Sequence, residues 1–449
     1  MGLRFGTDGI RGVANAELTP ELALALGRAA ARHLPAREFL VGRDTRRSGP
    51  MLQAALGAGL ASEGSCVVDL GVVPTPGLAW AAADRGAPGA MISASHNSFE
   101  DNGIKLLSAT GSKLPDSLEL EIEAELDAIL LGVRGRSVGS PAGAGVGEIV
   151  ASHELVDAYV DHLVASVELS GPRLRVVCDC ANGSAGPIAP RVLERAGVDA
   201  VVVSASPDGT NINARCGSTF ASLLSERVVA EGADVGLCFD GDADRLIALD
   251  RSGAVVDGDQ LLAMFAVDLE DRGELVNDAL VVTVMSNLGL KRSLGLRGIS
   301  VVETPIGDRY VTDALEREGL VLGGEQSGHV VFRREATTGD GLLTALKLLE
   351  LVSRRGRPLD ELASEAMTRL PQELRNVRVP EPGRLGSASA VWAEVTAVEQ
   401  VLGDTGRVLL RASGTEAAVR VMVEAESHEH ARSAAERLVA AVRRELGSS

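Results

Sequence analysis

Three carboxylates stand at alternate positions in Asp240-Gly241-Asp242-Ala243-Asp244, followed by Arg245 and preceded by an apolar run. Crowded at that spacing and left uncompensated, such charges repel one another, so a divalent cation is their natural neutraliser. An EF-hand loop opens in the same way, but its sixth position needs glycine and its twelfth glutamate, where this chain has Arg245 and Arg251. Hard oxygen donors with no histidine or cysteine among them favour Mg²⁺. Taken alone, the six residues also fit a solvated acidic turn.

Ser93-Ala94-Ser95-His96-Asn97 sets a hydroxyl beside an imidazole. Adjacent side chains on an extended chain point apart, so His96 is not expected to deprotonate Ser95. The flanking glycines of a G-x-S-x-G elbow are missing as well, and in isolation the segment reads as a polar turn. Arg411-Ala412-Ser413-Gly414-Thr415, with Arg420 further on, supplies two guanidinium forks, two hydroxyls and a glycine that lets backbone N–H groups approach an anion. Phosphate recognition needs those groups, although a plain Ser-Gly turn between strands fits equally. Glu325-Gln326-Ser327-Gly328-His329 gathers a carboxylate, an amide, a hydroxyl and an imidazole in a glycine-flanked loop, suited to a polyol or to a polar turn. There is no Gly-Lys dipeptide and no G-x-G-x-x-G, which removes the support for nucleotide-dependent kinase or dehydrogenase chemistry.

Layered α/β domains must position these loops, because short β-branched runs alternate with Ala/Leu-rich stretches of helical period to about residue 370. Strands are expected at 39–41, 66–70 and 87–92, with a helix at 51–62, so that Ser95 lies just past a strand end. A Gly/Ser/Pro-rich interval at 132–147 reads as a surface excursion near a boundary. A second set of strands follows at 174–178, 200–203 and 235–239, with helices at 187–195 and 223–231, and the last strand delivers Asp240 to a loop. A third set has strands at 279–284 and 300–302 and a helix at 342–352. The tail reads as α+β, with strands at 392–395, 407–410 and 419–424 and an amphipathic helix at 431–446. The expected division is 1–150, 151–256, 257–370 and 371–449.

Length alone demands several domains, since 449 residues exceed what one core usually serves. A net charge of −18 argues against nucleic acid or an anionic membrane as partner. Only four lysines are present, Lys105, Lys113, Lys291 and Lys347, so cationic tasks fall mostly to arginine. Five cysteines with no C-x-x-C read as reduced cytosolic thiols. With no apolar leader and no bilayer-length apolar run, the chain is expected to be soluble and cytoplasmic.

Taken together and in order, Phe5-Gly6-Thr7-Asp8-Gly9-Ile10-Arg11-Gly12, Ser93-Ala94-Ser95-His96-Asn97, residues 240–245, residues 324–329 and residues 411–415 closely resemble the α-D-phosphohexomutase superfamily, over essentially the whole chain. Gly307-Asp308-Arg309-Tyr310 and Gln326 resemble the branch that acts on amino sugars. The phosphomannomutase/phosphoglucomutase branch is similar in every other block and is the alternative. The resemblance implies three α/β domains around a central cleft plus a smaller C-terminal α+β domain. It implies an isomerase in which Ser95 is a phosphoserine that exchanges its phosphoryl group with a hexosamine phosphate through a sugar 1,6-bisphosphate, which serves as intermediate or activator. By the same resemblance Asp240, Asp242, Asp244 and the Ser95 phosphate would hold Mg²⁺. Arg11, His96, Lys105 and Arg245 would serve the reacting end, with Lys105 or His96 as acid or base if arginines depress their pKa. Arg309, Glu325, Ser327 and His329 would bind substrate, and Arg411, Ser413, Gly414, Thr415 and Arg420 the distal phosphate. A homodimer stays open as the assembly. Many family members have proline after Ser-His-Asn, whereas this chain has Ser98, which loosens the expected loop without removing a reacting group.

Overall fold

Apolar β-branched runs become strands and the Ala/Leu-rich stretches between them become covering helices in the computed structural model, which describes residues 3–6, 8–132, 141–413 and 417–447. Two compact units result, Met1–Met285 with Ile299–Glu365, and Ser286–Gly298 with Ala366–Ser449.

The first unit holds three sheets. The first comprises β1 (Phe5–Gly6), β2 (Gly9–Val13), β3 (Glu38–Arg43), β4 (Cys66–Val72), β5 (Gly89–Ile92), β6 (Asp101–Leu107) and β7 (Ile149–Ala151), in the order β1-β2-β6-β5-β3-β4-β7. Strands β5, β3, β4 and β7 run parallel, and β6 returns antiparallel to β5. Parallel strands covered on both faces read as unbroken apolar runs, as in Phe39-Leu40-Val41 and Gly89-Ala90-Met91-Ile92, all buried. Phe39, Val41, Ala90 and Ile92 pack with Leu52, Leu56 and Leu60 of the helix Gly49–Ser62. The helix Pro20–His33 starts where Thr19 caps it, its hydroxyl accepting from the Leu22 amide, with proline in the first turn. The expected boundary at residue 150 falls inside β7. Of the expected surface excursion, residues 133–140 lie outside the described residues.

The second sheet has β8 (Arg175–Asp179), β9 (Asp199–Val203), β10 (Val235–Phe239), β11 (Leu246–Asp250) and β12 (Val255–Val256), ordered β12-β11-β10-β8-β9. Every residue of β10 and β11 is buried. They pair antiparallel with Phe239 opposite Leu246, so residues 240–245 form a hairpin loop clamped between two core strands. The third sheet has β13 (Ala279–Thr283), β14 (Ser300–Thr304), β15 (Leu322–Gly324) and β16 (Val330–Phe332), ordered β14-β13-β15-β16. Gly324 pairs with Val330, which makes residues 325–329 the turn of a second hairpin.

In the second unit β17 (Gln372–Arg378), β18 (Arg407–Ala412) and β19 (Ala418–Glu424) form an antiparallel sheet ordered β17-β19-β18, with helices Ser389–Leu402 and His428–Leu446. Residues 392–395, expected as a strand, lie inside the helix Ser389–Leu402. Trp392 and Val395 favour strands locally, but the buried set Val391, Val395, Val398 and Leu402 has the spacing of one helix face. The helix Leu288–Leu296 groups with this unit rather than with the third sheet. No helix among the described residues is long and apolar enough to cross a membrane, and the five cysteines are free thiols.

Candidate active site

Three strand ends of the first unit deliver the chemistry: β5 leads to Ser95, β10 to Asp240 and β15 to Glu325. Loops beyond the carboxyl ends of parallel strands are where α/β sheets build sites. Here the loops interlock through glycine. A Cβ on Gly241 would lie 2.6 Å from the Ser95 carbonyl oxygen, and one on Gly183 would lie 2.3 Å from that of Gly241.

The three aspartates of the hairpin loop are buried, and one carboxylate oxygen from each lies within 4.8 Å of the others. Each is held by its own set of partners, with Lys105 shared between Asp242 and Asp244. Asp240 Oδ1 accepts from the Arg245 amide (3.2 Å) and its Oδ2 from Ser95 Oγ (2.5 Å). Asp242 Oδ2 accepts from Thr75 Oγ1 (2.6 Å) and Lys105 Nζ (3.0 Å). Asp244 Oδ2 faces His329 Nδ1 at 3.6 Å and Lys105 Nζ at 3.9 Å. Asp242 Oδ1 and Asp244 Oδ1 are buried with no hydrogen-bond partner among the described residues. Burial, then repulsion from Asp244 and Asp242, push the Asp240 carboxyl well above the usual range. Against the same burial, Lys105 and Thr75 hold Asp242 low, and His329, Lys105 and Arg245 hold Asp244 low. Two orphaned oxygens in an all-carboxylate cluster fit a hard divalent cation.

Ser95 is buried in a left-handed turn with φ of 50°. That turn overturns the expectation that its neighbour points away, for His96 Nδ1 comes to 3.5 Å from Ser95 Oγ. Burial, then the charges of Arg245 and Arg11, lower the His96 pKa to about 4, so the ring is neutral at pH 7. Lys105 behaves in the opposite way to the expectation for an acid or base. Burial disfavours its charge, but Asp242, Asp8 and Asp244 outweigh burial and push its pKa up, so it stays a fixed cation. Arg245 Nε lies 3.7 Å from Asp244 Oδ1. Arg11 Nη2 pairs with Asp8 (2.9 Å), while its Nε is buried without a hydrogen-bond partner among the described residues.

Glu325 accepts from the Gly307 amide (3.1 Å), with Ser327 Oγ 3.5 Å from its other oxygen. His329, expected at the substrate, is 1% exposed and sits behind the acidic loop. The Gly339 amide donates to its Nε2 (3.0 Å), which leaves Nδ1 to carry the proton facing Asp244. Arg309, also expected at the substrate, pairs with Asp116 and with Glu119 (2.8 Å) of the helix Asp116–Leu130.

In the second unit Arg411 on β18 stands directly opposite Arg420 on β19. Like charges so placed destabilise a sheet; burial, then Arg420, lowers the Arg411 pKa, and Arg420 Nε is buried without a hydrogen-bond partner among the described residues. The Ser413 amide donates to the Ala418 carbonyl (2.8 Å) across the loop. Gly414 and Thr415 lie outside the described residues, as does Thr7.

Sequence reasoning passed over several residues that hold this site: Asp8, Thr75, Lys113, Asp308, Asp44, Arg46 and Asn213. Lys113 bridges Asp8 (2.7 Å) and Asp308 (2.6 Å). Asp44 accepts from Ser93 Oγ (2.7 Å) and pairs with Arg46 (2.9 Å). A signal existed for two of them, since Asp44-Thr45-Arg46 places opposite charges just past the apolar β3. Ser98, which replaces the usual proline, offers its carbonyl to Arg46, so a side-chain contact steadies the loop.

Family models describing the phosphoglucomutase/phosphomannomutase alpha/beta/alpha domains I, II and III match residues 2–131, 157–253 and 257–370, and the model of the C-terminal domain matches residues 374–441. The chain belongs to the phosphoglucomutase/phosphomannomutase family and is a phosphohexomutase, an isomerase. It is similar to the phosphoglucosamine mutase of Frankia alni, 52% identical over 455 residues that cover 98% of each chain. The phosphoglucosamine mutase of Symbiobacterium thermophilum is 50% identical over 454 residues, covering 99% of this chain and 100% of that one. Among solved structures, a phosphoglucomutase/phosphomannomutase family protein from Burkholderia thailandensis superposes with a TM-score of 0.81 at 25% identity, covering 99% of this chain and 98% of that one.

Proposed function

We propose that this enzyme interconverts glucosamine 6-phosphate and glucosamine 1-phosphate through phospho-Ser95 and glucosamine 1,6-bisphosphate, feeding amino-sugar nucleotide and cell-wall precursor synthesis. The observation that carries the mechanism is Ser95 Oγ seated 2.5 Å from Asp240 in a buried cluster of three carboxylates. The hydroxyl satisfies a buried carboxylate and stands where a phosphoryl group carried on it would lie against the carboxylate cluster. Full-length relatives named phosphoglucosamine mutase at 50–52% identity support the choice of sugar.

In the forward half-reaction the bond from Ser95 Oγ to phosphorus breaks as a new one forms to O1 or O6 of the bound monophosphate; the sugar hydroxyl loses its proton and the departing Ser95 Oγ gains one. The bisphosphate turns around and returns its other phosphoryl group to Ser95. Asp240, Asp242, Asp244 and a phosphoserine oxygen would hold Mg²⁺, which when bound neutralises this crowd of charge and draws electron density from the transferring group. Lys105, Arg11 and Arg245 are fixed cations for the same charge, so positioning and electrostatics carry most of the catalysis. His96, neutral and beside Ser95 Oγ, is the better placed of the two candidate proton acceptors. Glu325 and Ser327 would take sugar hydroxyls or the amine, and His329 would act through Asp244.

Arg411, Ser413 and Arg420 would bind the phosphate that is not being transferred, with Gly414 and Thr415. That phosphate is present in ground and transition states alike, so Arg420→Lys, which loses a planar fork, should raise KM about tenfold while kcat changes little. Steady-state kinetics check it, and a defect confined to kcat would move Arg420 to the reacting phosphate.

Specificity decides the sugar. A 2-ammonium group donates to a carboxylate such as Glu325 with both partners charged, where a 2-hydroxyl donates with only the carboxylate charged. kcat/KM for glucosamine 6-phosphate should therefore exceed that for glucose or mannose 6-phosphate by roughly tenfold or more. Equal or better turnover of mannose 6-phosphate would give the enzyme to the phosphomannomutase/phosphoglucomutase branch and leave the Ser95 mechanism standing.

A further inference from the structure

The backbone around Ser95 is held by side chains that come from outside its own loop. Arg46, 1% exposed, spends its donors on carbonyl oxygens there. Its Nη2 donates to Ser95 O and Asn97 O, both at 2.9 Å, and its Nη1 donates to Asp101 O (3.0 Å) and to Ser98 O. Its Nε is anchored by Asp44 (2.9 Å), which also accepts from Ser93 Oγ (2.7 Å), and Ser93 Oγ in turn accepts from the Ser95 amide (2.9 Å).

Asn213 reaches the same two carbonyls from the second sheet. Its Nδ2 donates to Ser95 O at 2.9 Å and to Asn97 O at 3.0 Å. Each carbonyl therefore has both lone pairs engaged, one by each side chain. Asn213 is itself fixed, since its amide donates to Ala181 O (2.9 Å) and the Ala181 amide donates to Asp179 at the end of β8 (2.9 Å). The same Nδ2 lies 3.0 Å from where a Cβ on Gly241 would be, so the amide touches the acidic hairpin as well as the serine loop.

We propose that Arg46 and Asn213 are positioning residues that lock the left-handed Ser95 backbone and register the phosphoryl-bearing Oγ against the Asp240 hairpin. The proposal rests on Ser95 being the phosphorylated nucleophile. Neither side chain touches the reacting atoms. Arg46 fixes the loop to the first sheet and Asn213 fixes it to the second, which carries the carboxylates. Without the second anchor Ser95 keeps its turn but loses its register, and a misplacement of about 1 Å is enough to cost on the order of a hundredfold in a positioned reaction.

The test loads purified enzyme with phosphate on Ser95 using glucose 1,6-bisphosphate and follows single-turnover transfer to glucosamine 6-phosphate by quench-flow. KM, release of inorganic phosphate and thermal melting are measured alongside. For Asn213→Ala the expected result is transfer slowed roughly 10- to 100-fold, KM within about twofold, and a melting temperature close to that of the unmodified protein. A purely structural role would lower the melting temperature and spare the transfer rate of the molecules still folded. Asn213→Asp keeps the shape but sets an acceptor against two carbonyls, so it should slow transfer at least as much; it also reads the same step should the alanine variant not fold. Transfer by loaded Asn213 variants at the unmodified rate overturns the clamp alone. Failure of the unmodified enzyme to carry phosphate on Ser95 overturns the functional reading, and the clamp with it.

Discussion

Ser95→Ala should abolish turnover, with a loss of at least about 10⁴-fold, and the protein should lose the mass of one phosphoryl group that a fraction of the unmodified enzyme carries. Alanine leaves no oxygen to take the group. The nearby hydroxyls of Ser93 and Thr75 are each tied to another carboxylate, Asp44 (2.7 Å) and Asp242 (2.6 Å), so neither replaces it. The fold should survive. Asp240 Oδ2 loses the Ser95 hydroxyl, a penalty of about 1–3 kcal/mol for a buried acceptor left unsatisfied. Intact-mass analysis beside a coupled assay checks both parts, and undiminished activity in Ser95→Ala would sink the mechanism.

Asp242→Asn should weaken Mg²⁺ binding by on the order of 10²–10³-fold. The charge removed is one of three, and at a few ångströms and an effective dielectric near 20 its attraction for a divalent ion is worth several kcal/mol, of which metal hydration returns a part. One oxygen of Asp242 is tied to Thr75 and Lys105 and the other has no hydrogen-bond partner among the described residues, so the amide cannot serve both sides. If its oxygen stays on Lys105, its NH₂ faces the metal position. If it flips, Lys105 loses its nearest anion. Calorimetric titration of the purified variant with Mg²⁺ reads the affinity without turnover, and EDTA should reproduce the loss of activity in the unmodified enzyme. An affinity equal to that of the unmodified protein would remove the aspartates from the metal site.

The loops that bear chemistry were legible because each announces itself by residue type: alternating aspartates, a serine at a strand end, arginines around Ser-Gly. Strands such as β10 were legible because burial on both faces writes an unbroken apolar run. Residues 392–395 misled because four residues are too few to separate a β-branched strand from a helix face whose period shows only across Val391 to Leu402. His96 was misjudged because extended backbone was assumed where Ser95 is left-handed, a choice imposed by Arg46 and Asn213 from 49 and 118 residues away. Those two donate to backbone carbonyls, which every residue has, so although Asp44 beside Arg46 hints at an ion pair, nothing in the sequence says which loop Arg46 and Asn213 hold. Lys105 was read as able to titrate for a similar reason, since two of the three carboxylates that fix its charge, Asp242 and Asp244, lie 137 residues or more further along the chain.

That distance also bears on how the enzyme is made. Ser95 precedes Asp240 by 145 residues, and a ribosome adding about 5–20 residues per second leaves roughly 7–30 s between the emergence of the two. Arg46 precedes the carbonyls it grips by only 49–55 residues, so this half of the clamp on the nucleophile loop can form well before Asn213 and the hairpin arrive. Lys105 emerges into a nascent chain that holds Asp8 but neither Asp242 nor Asp244. For that interval the first third of the newborn protein presents Lys105, Arg11 and Lys113 with only part of their counter-charge. It is open to any polyanion it meets, and this window closes only when the acidic hairpin arrives.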